Sequence, residues 1–415
     1  MRVFLAPADA PVSPLDAPAR DAMILDRSLG DTMATELRAV GLEVVSVASL
    51  EDGEGRARRE PEGAFVLLDS VLASRTVVRN FVRAARSRSG ATAVVCALPR
   101  FLATDYLSHI DGLAPAESRS STAAIWTAPF FFLRGNTSIA GAEPLLLPYK
   151  EQILRIPTPV GILGTTEYQV GISESYLCNV SHWVHVLRAN ASATAGWWFD
   201  RLRWGIVLGP AWVAWRILCG FPWSGGRLGG ALNHVAFGAS VHHTAHLELS
   251  IVRKGATIGA HASVKNSYVG EGAFIGEGAR LFGSVIGKRA FVATNSVVFG
   301  SVVYPGAFAA QLLMQACLLG RDASVFTNSN FFDLNFTRNI RVFHRGQFVD
   351  SGSRFLGSCV GPEARLSAGV WIASGRELPK GALIVKPPGE AVSKIGALEP
   401  GAAYAVREGG LVKVQ

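Results

Sequence analysis

Histidines are the side chains of this chain best suited to acid–base chemistry, and they cluster. Five of the nine histidines fall between positions 234 and 261, namely His234, His242, His243, His246 and His261. An imidazole titrates near physiological pH, so a positioned histidine can take a proton from a hydroxyl or an amine. Close histidines are also typical zinc ligands, which makes a metal site the alternative for His242, His243 and His246. The choice depends on the elements that position them.

The segment that holds these histidines repeats with a period of 17 residues. Four columns of similar residues recur through four units: Ser250, Ser267, Ser284 and Ser301; Ala256, Ala273, Ala290 and Ala307; Thr257, Phe274, Phe291 and Phe308; and Ile258, Ile275, Val292 and Ala309. A fixed period this short is typical of a solenoid.

A finer spacing of six residues lies within each unit. Aliphatic residues lie six apart, as in Ile258 and Val264, or in Val269, Ile275 and Leu281, and small residues separate them. This pattern predicts a short strand, a tight corner and another strand, with aliphatic side chains stacked inside. Helices need a spacing of about 3.6 residues, which this segment lacks.

The hexad resembles the left-handed parallel β-helix of the hexapeptide-repeat transferases, over about residues 241–385. That superfamily includes sugar and lipid acyltransferases, carbonic anhydrases and the C-terminal halves of sugar nucleotidyltransferases, so the resemblance is more specific for fold than for reaction. It implies a homotrimer. The carbonic anhydrases take their zinc ligands from spaced coils rather than one short cluster, so we expect no metal here. His242 matches a histidine common in the superfamily's opening coil, whatever the activity.

Corner positions in such a coil face solvent or the next subunit. His261 lies in the turn 259–262, and we predict it as the catalytic base, with a solvated corner residue as the alternative. His246, at a position that is normally aliphatic, is the second catalytic candidate.

The hexad spacing is lost over residues 326–355, which predicts an insertion that projects from a corner. Its candidate substrate-binding residues are Asp333, Asn335, Arg338 and His344. The alternative is that these residues hold subunits together.

Residues 1–150 alternate between strand-like and helix-like segments. Strands are predicted over 3–5, 43–47, 65–68 and 92–98, and helices over 31–40 and 76–88, which indicates a small, mostly parallel α/β sheet. This resembles a degenerate sugar-nucleotidyltransferase domain, in which Asp69 stands where that family places a metal-binding aspartate. The family's glycine-rich nucleotide loop is missing, so a cap at the strand end is the alternative role for Asp69.

Residues 151–230 are predicted to link the two parts. A helix is expected from about Ser181, with His182 and His185 in a core or interface role. Six of the nine tryptophans lie in the segment Trp197–Trp223, whose apolar run is too short to cross a bilayer. Tryptophans flanked by arginines fit the lipid headgroup layer, so we expect either membrane-surface contact or helices packed inside the protein.

The whole arrangement also resembles an uncharacterised bacterial group that joins a degenerate nucleotidyltransferase-like region to a hexapeptide-repeat domain. The residues that carry this resemblance are Trp183–His185, Ala189–Asn190, Phe331–Asn335 and Gly357–Gly361. This resemblance predicts the domain architecture but says little about the function.

Composition excludes several classes of protein. The chain has 415 residues, of which 49% are hydrophobic and 17% charged, so it is a folded protein of two or three domains. Its five cysteines form no CxxC pair and are predicted to be free thiols in a reducing compartment. A net charge of +8 comes without a nucleic-acid-binding signature, and no secretory signal opens the sequence. We expect a cytoplasmic protein, peripheral on the inner membrane if the aromatic segment meets lipid.

These observations predict an α/β domain over 1–150, an aromatic helical linker over 151–230, a left-handed β-helix over 231–390 and a tail over 391–415. The leading hypothesis is a transferase that moves an acyl group from acyl-CoA or acyl-carrier protein to a sugar or lipid at the membrane surface. No tightly bound cofactor is expected. The second hypothesis is a non-catalytic trimeric scaffold that binds a membrane or partner. The third is a nucleotidyltransferase relic that still binds sugar nucleotides.

Overall fold

A seven-stranded sheet organises the amino-terminal domain. The computed structural model describes residues 1–8, 10–99, 112–118, 121–157, 167–199, 233–386, 395, 402–408 and 410–414. Six strands of the sheet lie side by side in the order Glu143–Leu146, Thr92–Pro99, Ser121–Arg134, Ala64–Leu68, Arg2–Ala6 and Glu43–Ser46, and Ala114–Ser118 pairs with the third of these. Ser121–Arg134 runs antiparallel to both of its neighbours, and the other neighbouring pairs along this path are parallel.

Three helices cover this sheet, at Leu29–Ala39, Leu50–Arg58 and Arg75–Arg86. Each begins after a serine whose hydroxyl accepts a hydrogen bond from a backbone N–H of the first turn, which satisfies a donor that has no partner inside the helix. The four strands and two helices expected from sequence are confirmed. The sequence does not predict the helix Leu50–Arg58, because only Gly53 and Ala57 are buried on it and its hydrophobic periodicity is weak.

A helix over residues 183–199 joins this domain to the rest of the chain. The strand Leu177–Asn179 precedes it and pairs antiparallel with Val71–Ala73. Two further hairpins belong to this half, Met23–Ile24 with Arg27–Ser28 and Gln152–Pro157 with Glu167–Ile172. His182 and His185 are both buried, as the predicted core role requires.

The second half is a solenoid with three faces, each a parallel sheet formed by strands stacked from successive coils. The strands of the first face, called the covered face, number the eight coils: His234–Val235, Ile251–Val252, Tyr268–Val269, Val285–Ile286, Val302–Val303, Leu318–Leu319, Cys359–Val360 and Glu377–Leu378. The strands of the second, called the aromatic face, are Ser240–Val241, Thr257–Ile258, Phe274–Ile275, Phe291–Val292, Phe308–Ala309, Ser324–Val325, Arg365–Leu366 and Leu383–Ile384.

The third face comprises His246–Glu248, Ser263–Lys265, Arg280–Phe282, Val297–Phe299 and Met314–Gln315, followed by the pair Asn330–Phe331 and Trp371–Ile372. Short parallel strands on three faces, one coil per repeat, are the architecture of the hexapeptide-repeat β-helix, and the predicted fold of this half is confirmed.

The columns seen in the sequence have distinct structural roles. Aliphatic side chains such as Ile258 and Ile275 fill the interior of the solenoid. The serine column is a buried ladder, in which the backbone N–H groups of Ser267, Ser284 and Ser301 each donate to the serine hydroxyl one coil earlier, as in Ser284 to Ser267 at 3.1 Å. The ladder satisfies polar backbone groups that the corners would otherwise leave unpaired in the interior.

The insertion is shorter than the loss of the hexad pattern suggests. Asn330–Phe331 still lies on a coil, and the chain leaves the solenoid after it. The excursion is closed at its neck by the bridge between Leu334 and Phe355, and it carries the hairpin Arg341–His344 with Gln347–Asp350. Polar side chains at Asn328–Asn330 mask the hexad spacing, since only Phe331 of this stretch points inward.

The amino-terminal domain packs on the covered face of the solenoid. The outward positions of its second to seventh strands are apolar and buried: Ile251, Tyr268, Val285, Val302, Leu318 and Cys359. They belong to one hydrophobic core with residues of the first domain and of the 183–199 helix. The phenolic hydroxyl of Tyr304 accepts from the backbone N–H of Met23 at 3.0 Å, and Arg253 pairs with Asp26 at 3.3 Å.

Beyond the last coil, a hairpin pairs Ala403–Arg407 with Gly410–Val414. In the described part of the chain, no helix has both the length and the apolar character needed to cross a bilayer.

Candidate functional site

The best candidate for chemistry is a corner between the aromatic and third faces, in the first two coils. We call it the histidine corner and define it by His242, His243, Thr244 and His261. Thr244 lies one coil above His261, and its hydroxyl oxygen accepts from the backbone N–H of His261 at 2.9 Å. The rings of His242 and His243 stack with their centroids 4.3 Å apart. Three exposed imidazoles therefore meet at one edge of the solenoid.

The backbone at His261 explains why its side chain points outward. Its φ is +56°, in the left-handed region, and the same corner column holds Gly278 at +66° and Asn295 at +57° in the next coils. A tight corner needs this conformation, which histidine tolerates better than branched residues do. The ring of His261 makes no hydrogen bond with the residues the structure describes, and Gly278 places no side chain beneath it. Both ring nitrogens are thus free to meet a substrate.

His242 is positioned differently. Its Nδ1 lies 2.9 Å from the Thr244 hydroxyl and 3.3 Å from the Thr244 backbone N–H. Because the Thr244 backbone N–H donates to Nδ1, this nitrogen is an acceptor, and the Thr244 hydroxyl donates its proton to the same atom. The neutral ring of His242 therefore carries its own proton on Nε2 and presents a donor to solvent. His242 can orient or hydrogen-bond a ligand, whereas His261 keeps the free lone pair that a base needs.

His246, the second catalytic candidate, lies on the third face of the first coil. Its side chain is half exposed, and Nε2 is 3.7 Å from a carboxylate oxygen of Glu248, which also pairs with Lys265 at 3.2 Å. The carboxylate can orient the imidazole. Among the described residues, no group of three or more histidine, cysteine or acidic side chains is placed to hold a metal ion.

The four candidate substrate-binding residues lie in or beside the insertion. The side-chain oxygen of Asn335 accepts from the backbone N–H groups of Thr337 and Arg338, so this amide shapes a turn. His344 packs edge-on against His182, with ring centroids 5.3 Å apart. Burial raises the pKa of the partly buried Asp333 carboxyl, at the neck of the insertion. Arg338 is exposed, and of the four it is the best placed to bind an anion from solvent.

Within one chain, the predicted catalytic base His261 lies far from the predicted substrate-binding residues of the insertion. His261 lies in the second coil and the insertion follows the sixth, which is four coil spacings of about 4.8 Å, or roughly 19 Å along the axis. If the solenoids of neighbouring subunits pack side by side with parallel axes, the same distance along the axis separates His261 of one subunit from the insertion of the next. A ligand that touches both sets must therefore be long.

Asp69 follows the strand Ala64–Leu68, as the sequence indicated. One of its carboxylate oxygens accepts from the backbone N–H of Ala8 at 2.8 Å, and the other lies 3.7 Å from Arg20. Burial raises the pKa of this carboxyl above its ordinary value. Asp69 thus fastens the loop after the first strand, the role named as the alternative to metal binding.

A largely buried carboxylate that the sequence did not reveal joins four parts of the chain. We call it the Glu377 junction: one oxygen of Glu377 accepts from the indole N–H of Trp183 at 2.8 Å and lies 3.0 Å from Nε2 of His182. The other accepts from the hydroxyl of Ser13 at 3.0 Å. The carbonyl of Phe343, in the insertion hairpin, is also 3.1 Å from His182 Nε2. In the hexad pattern, Glu377 is an ordinary acidic residue at an outward position, and nothing near it in the sequence indicates these contacts.

The cysteines offer no reactive thiol in the described residues. Cys96, Cys178, Cys317 and Cys359 are free and buried. Burial raises the pKa of Cys178 and of Cys317 to about 12, which keeps both thiols protonated and poorly nucleophilic. The prediction of free thiols is confirmed for these four.

Aromatic side chains form exposed stacks on the two faces that the amino-terminal domain leaves open. Phe274 and Phe291 stack at 4.6 Å, Phe308 follows at 5.4 Å and Phe326 at 5.5 Å. Phe274 and Phe291 are each 38% exposed and Phe326 is 45% exposed. On the third face, Phe282 and Phe299 form a second stack.

Only two tryptophans of the aromatic segment Trp197–Trp223 lie in the described residues. Trp198 is buried, and Trp197 packs against it and against His234, with ring centroids 4.8 and 5.4 Å away. These two support the expected internal packing. The rest of the segment lies outside the described residues.

Comparisons with known proteins add solved structures of low similarity. No family model matches the sequence, and no curated protein matches it. The chain is 18% identical to a mutant perosamine N-acetyltransferase from Caulobacter crescentus, solved with CoA and GDP-perosamine, over 36% of this chain and 51% of that one, with a TM-score of 0.17. It is 20% identical to a hexapeptide transferase family protein from Anaplasma phagocytophilum, over 36% of this chain and 72% of that one, also with a TM-score of 0.17.

The chain thus matches about half the length of the first of these proteins. The fold assignment rests on the strand pairing itself, which makes the second half of this chain a hexapeptide-repeat β-helix.

Proposed function

We propose that this protein is an acyltransferase of the hexapeptide-repeat type and that His261 is its general base. One observation carries the proposal: the His261 imidazole projects from a rigid corner with both nitrogens free, while the backbone behind it is held by Thr244. A base must be fixed in direction and open on its lone-pair side, and among the histidines of this corner His261 best combines these properties.

The reaction follows from this placement. His261 takes the proton of an acceptor hydroxyl or amine as the acceptor oxygen or nitrogen attacks the thioester carbonyl carbon. The carbon–sulfur bond then breaks, and the imidazolium returns its proton to the departing thiolate. The products are the acylated acceptor and a free thiol. The proposed donor is acyl-CoA or acyl-carrier protein, and the proposed acceptor is a sugar or a lipid. Arg338 is the proposed contact for an anionic group of the substrate.

The test measures thiol release from acetyl-CoA and from longer acyl-CoA thioesters, with a panel of amino and hydroxy sugars as acceptors. Loss of a general base costs about 10²- to 10⁴-fold in rate, and H261A is expected to show that loss. H243A is the matched control, since it removes a neighbouring imidazole that the mechanism does not use. Equal rates for wild type and H261A would contradict the assignment. Binding of CoA without turnover would favour the scaffold hypothesis.

We also propose that copies of this chain assemble as a homotrimer through the aromatic face. Each of Phe274 and Phe291 exposes about 75 Å² if a phenylalanine offers about 200 Å². The stack of four rings then exposes roughly 300 Å², the size of the largest apolar patch on many monomeric proteins, a patch that is often functional. The covered face is closed by the amino-terminal domain, so the aromatic and third faces are the ones left for contact.

Light scattering after size-exclusion chromatography tests this assembly. F291R places a charge at the centre of the stack and is expected to shift the protein from trimer to monomer. F237R is the control, because Phe237 is fully exposed at the first coil and away from the stack. A wild-type monomer, or a trimer that survives F291R, would refute the proposed interface.

For the amino-terminal domain, we propose descent from a sugar nucleotidyltransferase without its catalysis. The mixed sheet with one antiparallel strand at its centre supports this origin. The engagement of Asp69 with Ala8 and its burial argue against metal-dependent transfer. Calorimetry with UDP-, dTDP- and GDP-sugars is expected to show no binding. A heat of binding that D69N abolishes would overturn the structural role given to Asp69.

A further inference from the structure

One helix of the amino-terminal domain concentrates positive charge on a single face. The helix Arg75–Arg86 carries four arginines, Arg75, Arg79, Arg83 and Arg86, spaced by four, four and three residues. That spacing places them on the same side of a helix. The opposite side, with Val78 and Phe81, is buried in the core. The helix has no acidic residue, and the exposed Arg88 follows it.

Four of these five arginines have no charged partner among the described residues. Arg2, Arg56 and Arg58 form ion pairs with acidic side chains of the same domain. At the start of the basic helix, Arg75 pairs with Glu36 at 2.7 Å. In contrast, Arg79, Arg83, Arg86 and Arg88 form no ion pair with any residue the structure describes. We call these four the arginine stripe.

Helix stability explains only part of the stripe. Arg83 and Arg86 lie in the last turn, where positive charge interacts favourably with the helix dipole. That effect decays within one turn, so it does not account for Arg79 in the middle of the helix. Like charges four residues apart are mildly destabilising on a helix. The stripe therefore costs stability unless an anionic partner neutralises it.

The chemistry of the face indicates the kind of partner. The other partly exposed residues of this helix are Thr76, Asn80 and Ala84, and no aliphatic or aromatic side chain larger than alanine is exposed along it. Protein interfaces usually centre on apolar or aromatic anchors, which this face lacks. From Arg75 to Arg86 the helix rises about 16 Å, a length that meets several lipid headgroups at once.

We propose that the arginine stripe docks the protein on a bilayer containing anionic phospholipid. The contact is electrostatic and superficial, since the apolar side of the helix is committed to the domain core and cannot insert. This proposal goes beyond acyl transfer and stands without it. It assigns membrane contact to the amino-terminal domain, at a surface distinct from the aromatic segment.

The size of the effect follows from the number of charges. Each basic residue near an anionic surface improves membrane partitioning by roughly fivefold. Replacing three of them is expected to reduce partitioning by roughly a hundredfold. Binding is also expected to weaken as salt rises from about 0.1 M to about 1 M, because the Debye length shrinks from about 10 Å to about 3 Å.

The experiment is co-sedimentation of the full chain with vesicles of phosphatidylcholine, with or without phosphatidylglycerol. Wild type is expected to bind only the anionic vesicles, and R79Q/R83Q/R86Q to lose that binding. The control R56Q/R58Q/R59Q removes the same charge from the preceding helix of the chain, Leu50–Arg58, and its end, and it should still bind. R79K/R83K/R86K keeps the charge and should bind as wild type does. Circular dichroism checks that each variant is folded.

Several results would overturn the proposal. Equal sedimentation of wild type with neutral and anionic vesicles would contradict it. An equal loss of vesicle binding in R79Q/R83Q/R86Q and in the control R56Q/R58Q/R59Q would also contradict it. Failure of the lysine variant, or release by inorganic phosphate at constant ionic strength, would indicate a discrete phosphate pocket instead of a surface contact. Because the assay needs no turnover, an inactive protein that binds anionic vesicles would still support docking and would reject only the enzymatic function.

Discussion

Replacing Glu377 by alanine should loosen the contact between the two halves of the protein. The substitution removes the acceptor for the Trp183 indole N–H and for the Ser13 hydroxyl, and one of two acceptors near His182. Trp183 and His182 are fully buried, so water cannot replace the carboxylate without a rearrangement. Ser13 lies nearer the surface and can turn to solvent.

The magnitude follows from these three donors. A buried donor left without an acceptor costs about 1–3 kcal/mol, which applies in full to the Trp183 indole. His182 keeps the Phe343 carbonyl at 3.1 Å, so its loss is smaller, about 1 kcal/mol. E377A is therefore expected to cost about 2–4 kcal/mol in the free energy of unfolding. E377Q keeps a neutral acceptor and should cost about half as much.

Two measurements check this expectation. Denaturant unfolding gives the loss of stability, and amide hydrogen exchange shows whether the 183–199 helix opens more readily than the inner strands of the solenoid. E363A is the control, because Glu363 is an exposed solenoid acid 3.8 Å from Lys380 and should change stability by less than about 1 kcal/mol. An E377A protein as stable as E363A, with unchanged exchange in the helix, would refute the role given to the junction.

Two further predictions concern the solenoid and the amino-terminal domain. S284A removes the hydroxyl that accepts from the Ser301 N–H at 3.2 Å and should lower the free energy of unfolding by about 1–3 kcal/mol, whereas S240A, on the exposed surface, should change little in the same denaturation assay. For Asp69, burial raises the pKa in the folded state, so its stability contribution is present below about pH 3.9 and is lost as pH rises through the raised pKa. D69N should therefore gain in urea midpoint relative to wild type between pH 4 and pH 7, and a difference that is constant with pH would contradict this.

The solenoid could be predicted from sequence because each residue column is one structural position. Stacked coils place residues 17 apart on top of one another, so interior packing, as in the column of Ile258 and Ile275, is visible along the chain. The regularity breaks where a coil changes length. Val302 pairs with Leu318, only 16 residues on, and Leu318 pairs with Cys359 across the insertion. A one-residue deletion and a long excursion shift the register. The strand Asn330–Phe331 precedes the excursion, but the polar residues around it make it resemble part of the insertion.

Contacts between segments that are far apart in the chain could not be predicted from the sequence. The outward residues of the covered face, such as Tyr268 and Leu318, follow the same hexad whether they meet solvent or another domain. Glu377 and His182 are 195 positions apart, and neither has a local pattern that points to the other. At the histidine corner, the turn position of His261 was predictable, since it depends on local coil geometry. Its axial distance from Asp333 and Arg338 depends on counting coils and required the assembled solenoid.

The covered face limits how the solenoid can be separated from the amino-terminal domain. Its six apolar outward side chains, from Ile251 to Cys359, form a hydrophobic strip along the second to seventh coils of the solenoid. A solenoid expressed without the amino-terminal domain would expose that strip to water and would self-associate through it. The two halves therefore depend on each other: the coils without the amino-terminal domain would need polar residues at these six positions to stay dispersed in water.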